Sequence, residues 1–161
     1  MNAFLNHVNW QVFIAFVLAV FTIISYVHTR RRELAWKRTE FLCAQSQYLD
    51  NDPILVEVVT ILEGRHAEVT TAHIFEGDAK IDPARQLHLQ KFDKLFNFLW
   101  RMSYAYLTMK TLSLREIEAF GWYFYLISES PAMVKYCDDN GFEEINIATG
   151  RLKRLWEKED T

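Results

Sequence analysis

Residues Val12–Val27 read VFIAFVLAVFTIISYV, and His28-Thr29-Arg30-Arg31-Arg32 follows at once. The run carries no charge, and Thr22 and Ser25 alone interrupt its apolar character. Their hydroxyls can bond back to the helix backbone. At about 1.5 Å per residue, sixteen residues cover roughly 24 Å, a little short of a ~30 Å hydrocarbon slab. Residues Val8–Gln11 supply the missing length, with Asn9 and Gln11 at headgroup depth. Trp10 and Tyr26 then fall at the two membrane interfaces, where an amphipathic ring is favoured. No Lys or Arg precedes the run, whereas Arg30, Arg31, Arg32, Lys37 and Arg38 follow it. This asymmetry predicts an N-terminus outside and residues 30–161 in the cytoplasm, in a single pass through a bacterial inner membrane. A cleavable signal peptide would carry its positive charge ahead of the apolar run, the reverse of what is found.

Outward from this segment the chain reads as capped helices. Between Arg30 and Leu49 there is neither Gly nor Pro, so the membrane helix is expected to continue as a stalk. Asp52-Pro53 stops it and starts another helix, with Asp52 as N-cap and Pro53 in the first turn. Ile54, Leu55, Val58, Val59, Ile61 and Leu62 follow at helical spacing, and Gly64 closes the element. Residues 65–81 are weakly patterned, with a turn expected at Gly77-Asp78. Asp82-Pro83 repeats the cap-and-proline device and opens a long helix to about Lys110, with Leu89, Phe92, Phe96, Leu99, Ser103 and Tyr106 as its core stripe. Ser113-Leu114-Arg115-Glu116 is a capping box, ahead of a helix burying Leu114, Ile117, Phe120, Phe124 and Ile127. Ser130-Pro131 caps the next, which Asn140-Gly141 ends, and a last segment from Phe142 to Glu157 is interrupted at Gly150. With no strand alternation of useful length, the predicted fold is all-α. It comprises a transmembrane anchor over 1–29, a juxtamembrane stalk over 30–50, and a bundle of four to five helices over 51–161.

Composition narrows the function classes. Half the residues are hydrophobic, 15% are aromatic, and the net charge is −3, so a packed core is expected and no bulk field attracts duplex nucleic acid. The two cysteines, Cys43 and Cys137, are too few and too far apart for a disulfide framework or a zinc site. His66, His73 and His88 lack the i, i+4 spacing of metal-binding helices, and no metal or cofactor is expected. Neither a phosphate-binding glycine loop nor a nucleophile–base arrangement is present, so an enzyme is not expected.

On the long helix Lys91, Lys94 and Arg101 are placed on one face, opposite Phe92, Leu95, Phe96 and Leu99. Phe98, Trp100 and Tyr104 stand near them, with Trp122, Tyr123 and Tyr125 beyond. Two readings follow: a solvated basic stripe over an aromatic core, or an anion site in which guanidinium and aromatic groups read a nucleotide. The aromatic excess also suits a homo-oligomer interface.

Several of these segments together resemble the bacterial DUF4760 family, membrane-anchored helical domains of unknown function. They are Arg30–Arg38 after one span, Thr39-Glu40-Phe41-Leu42, Asn51-Asp52-Pro53, Lys91–Leu99 (KFDKLFNFL), Leu112–Glu116 and Gly141-Phe142. Trp100 stands where that family tends to have Glu. The resemblance implies the topology and helicity already read and no activity. The chain also looks like the membrane effectors of bacterial antiviral defence that cyclic oligonucleotides activate. The expected role is therefore a non-enzymatic membrane effector or adaptor, acting on the lipid bilayer after a cyclic oligonucleotide or a protein partner engages its domain. The alternative is a passive scaffold that tethers a soluble enzyme.

Overall fold

The computed structural model describes residues 10–76 and 82–159, and every element in that range is helical. The Gly77-Asp78 turn, Val8 and the headgroup-depth residue Asn9 lie outside the described residues. Helix α1 runs Trp10–Asn51, so the apolar segment and its basic flank form one uninterrupted helix. It contains a stretch long and apolar enough to cross a membrane, no part of which is buried. Phe16, Phe21, Ile23 and Ile24 are each more than 60% exposed, whereas a core helix would cover its large apolar side chains. Thr22 Oγ1 donates to the Leu18 carbonyl at 2.8 Å, so its polar group needs no water. The chain divides into two compact units, with the boundary inside α1 between Ala44 and Gln45.

The second unit is built from the end of α1 from Gln45 onward and α2 (Pro53–Leu62), α3 (Thr71–Phe75), α4 (Pro83–Leu107), α5 (Leu114–Ile117), α6 (Gly121–Ser128), α7 (Pro131–Asp139) and α8 (Glu143–Glu159). The caps explain most of the boundaries. The Asp52 carboxylate accepts from the Ile54 and Leu55 amides, and Asp82 accepts from Ala84. Ser113 and Glu116 complete a reciprocal capping box, and Ser130 accepts from Met133. Gly64 and Gly141 take left-handed φ values of 69° and 80°, as helix-terminating glycines do.

Helix α4 is central, packing against α2, α3, α5 and α8, while α8 also packs against α6 and α7. From α4, Phe92, Leu95, Phe96, Leu99 and Met102 are buried. Leu55, Val58 and Ile61 of the adjoining α2 are buried with them, and Ile117, Phe124 and Ile127 and then Ile145, Ala148 and Leu152 complete the core. Phe96 has four ring neighbours, Phe75 on α3, Phe92 on α4 itself, Tyr136 on α7 and Phe142 just before α8, at centroid distances of 5.6–6.0 Å. Such edge and tilted arrangements add to the burial energy of each ring.

Four local expectations change. Residues 70–75, weakly patterned in sequence, form the capped turn α3, which buries Ile74 and places Phe75 in the aromatic cluster. Helix α4 ends at Leu107 because Lys110 adopts φ 55°, and the amides of Thr111 and Leu112 fold back onto the Ala105 carbonyl. A 3-10 turn at Glu118–Phe120 divides the helix that starts at Leu114, bringing Gly121 against the Trp156 ring. Helix α8 passes through Gly150 unbroken. A mid-helix glycine costs roughly 1 kcal/mol relative to alanine, less than burial of Ala148 and Leu152 on the same helix returns.

Candidate functional site

The basic stripe does not lie opposite the core of α4. At about 100° per residue, Leu95 falls only ~40° from Lys91, so the stripe borders the buried face and two of its members reach across to the next element. Lys91 Nζ lies 2.6 and 2.7 Å from the two carboxylate oxygens of Glu57 on α2. Both side chains are about three-quarters covered, at 21% and 31% exposed. His88 Nδ1 stands 3.8 Å from the same carboxylate and has no hydrogen-bond partner among the described residues.

Lys94 Nζ donates to Asp52 Oδ2 at 2.5 Å and sits 5.8 Å from the Tyr48 ring centroid. The Asp52 carboxylate therefore does two jobs. One oxygen caps α2 and the other clamps α4 to it. Lys94 holds the Asp52 carboxyl below its ordinary pKa, with the capping amides helping, and Asp52 raises that of the lysine. Sequence reasoning identified the cap and missed the clamp, because no local pattern links residue 52 to residue 94.

Arg101 is exposed and forms no ion pair among the described residues. With Lys94 it lines a groove of about 420 Å³, together with Tyr48, Gln90, Asp93, Asn97 and Phe98. Tyr136 donates to Asp93 Oδ1 at 2.7 Å. Burial, and then this bond, push the Tyr136 hydroxyl well above its usual range. Asp52 balances Lys94, so the groove combines an unpaired guanidinium, an anchored carboxylate, two carboxamides and an aromatic wall. Such a surface can hold a small anionic group against Arg101 through charge-assisted hydrogen bonds. Lys91 is paired elsewhere and does not line the groove.

The remaining candidates take structural positions. His66 Nδ1 accepts from the Glu68 and Val69 amides, capping a turn. His73 is exposed on α3. Among the described residues, no three His, Cys, Asp or Glu side chains are grouped to hold a metal. Trp100 donates to Glu144 on α8 at 2.8 Å and stacks on Tyr104 at 5.3 Å. It thus ties α4 to α8 by a contact that glutamate could not make in the same way. No family model matches this chain, and no curated protein or solved structure matches it.

Proposed function

We propose that this protein is a single-pass membrane protein with its N-terminus outside and its helical unit in the cytoplasm. There it serves as a non-enzymatic effector or adaptor. The observation that carries this reading is the uncovered apolar stretch of α1 with Arg30, Arg31 and Arg32 directly after it. In water that stretch would expose a contiguous run of large side chains, a liability that a bilayer removes. In the effector form, an anionic ligand such as a cyclic oligonucleotide engages the Lys94–Arg101 groove and alters how copies assemble in the membrane. Support for this form is the unpaired Arg101 in a groove that Lys94 and the Tyr48 ring also line. In the scaffold form, the helical unit holds a soluble protein at the membrane. Support for that form is the set of exposed apolar residues on the unit, including Leu87, Met109, Trp122 and Ile147.

A double substitution of Val17 and Leu18 to Arg separates membrane residence from folding. Each arginine at mid-span costs about 2.5–3.5 kcal/mol of insertion free energy. The wild-type chain should remain in membranes through alkaline carbonate extraction, and the variant should be released with its helical unit folded. Carbonate release of the wild type would end this reading. Arg101→Glu then distinguishes the two forms. The folded, membrane-resident variant should lose ligand-dependent activity in the effector form and retain partner tethering in the scaffold form.

A further inference from the structure

A second surface groove, of about 380 Å³, is lined by Glu118, Gly121, Trp122, Tyr125 and Trp156. Its walls are aromatic rings fixed by bonds at their edges. The Trp122 indole donates to Glu63 Oε1 at 3.2 Å, and the Trp156 indole donates to Glu118 Oε1 at 3.0 Å. Trp122 stacks on Tyr125 with centroids 5.7 Å apart and planes 20° from parallel. Gly121 forms the floor, where a β-carbon would come within 2.9 Å of the Trp156 ring. The indole N–H groups are thus satisfied at the ring edges. Trp122 keeps 56% of its surface exposed.

The charges around these rings are unequal. Glu63 is paired with Arg65 and Glu129 with Lys153, whereas Glu118 has no cationic partner among the described residues. The Lys153 ammonium already sits 5.9 Å from the Tyr125 ring centroid, so these faces attract positive charge from within the chain. Aromatic faces beside an unneutralised carboxylate make a receptor for an organic cation. The groove is shallow and its stacked pair nearly parallel, unlike the closed box that surrounds a quaternary ammonium. A flat guanidinium can stack on such rings while its edge donates to the carboxylate, which a trimethylammonium has no N–H to do. We propose that this groove docks an arginine side chain of a partner protein, with Trp122 and Tyr125 as the stacking platform and Glu118 as the counter-charge. The surface is independent of the Lys94–Arg101 groove, with which it shares no lining residue.

The test uses the full-length protein in detergent micelles with ¹⁵N-labelled tryptophan, titrated with N-acetylarginine methylamide. Of the five tryptophans, Trp122 and Trp156 should show saturable movement of their indole signals. The lysine analogue should move them more weakly at the same concentration. Glu118→Gln keeps an oxygen acceptor for the Trp156 indole while removing the charge, and should weaken the arginine response roughly tenfold. Absence of saturable movement, an unchanged response in Glu118→Gln, or a stronger response to tetramethylammonium than to the arginine probe would each overturn the proposal.

Discussion

Lys91 offers the sharpest division between a fastener and a ligand-binding residue. Its ammonium contacts both oxygens of Glu57, linking α4 to α2, and neither side chain is more than a third exposed. At this separation the raw attraction at a surface-like dielectric is several kcal/mol, but desolvation and side-chain ordering offset most of it. The net coupling should therefore lie near the upper end of measured surface pairs, about 1 kcal/mol. A double-mutant cycle with Lys91→Met and Glu57→Gln isolates it, since both substitutions keep most of the side-chain volume. For a folded unit of roughly 120 residues, 1 kcal/mol corresponds to about 4 °C in Tm. Each single variant should melt about 4 °C below wild type by helical circular dichroism, and the double variant should fall well short of the summed loss. Coupling under about 0.2 kcal/mol would refute the fastener reading and return Lys91 to the pool of free cations.

Four further outcomes follow from local packing. Phe96→Ala should destabilise the unit by about 3–5 kcal/mol in chemical denaturation, because Phe96 is fully buried among four neighbouring rings. Gly150→Ala should stabilise it by about 0.5–1 kcal/mol in the same assay, since nothing lies within 4 Å of the added methyl and the helix is continuous there. Burial pushes the Cys137 thiol up to about 12, while Cys43 is exposed. A thiol reagent at pH 8 should therefore modify one cysteine rapidly in the native protein and both after denaturation. The same shift makes the unfolded chain lose its Cys137 proton first. This group's contribution to stability should accordingly fall from about pH 9 upward and level off near 12.

The parts of the fold that could be read from sequence are those encoded locally. Asp52-Pro53, Asp82-Pro83, Ser113–Glu116 and Ser130-Pro131 each carry their capping chemistry within four residues, and each starts a helix. The apolar run of α1 is equally local. What eluded sequence reasoning depends on distance or on unusual backbone. Lys110 turns the chain in left-handed geometry without being glycine, so sequence reasoning places the end of α4 three residues too far along. The short helix α3 contributes only Ile74 and Phe75 to the interior, too few residues to set a period. At the site, sequence reasoning groups Lys91, Lys94 and Arg101 as one stripe, because the partners of Lys91 and Lys94 lie 34 and 42 residues away. Trp156 joins the Trp122 groove only because Gly121 lets α8 approach α6.

The central claim is a single membrane crossing with the helical unit on the cytoplasmic side. It is tested most directly by fusing either green fluorescent protein or alkaline phosphatase after Thr161 and expressing both fusions in a Gram-negative bacterium. Arg30, Arg31 and Arg32 should retain the C-terminal side in the cytoplasm. The first fusion should be membrane-bound and fluorescent, and the phosphatase inactive. Strong phosphatase activity with a dark fluorescent-protein fusion, or recovery of both fusions in the soluble fraction, would contradict it.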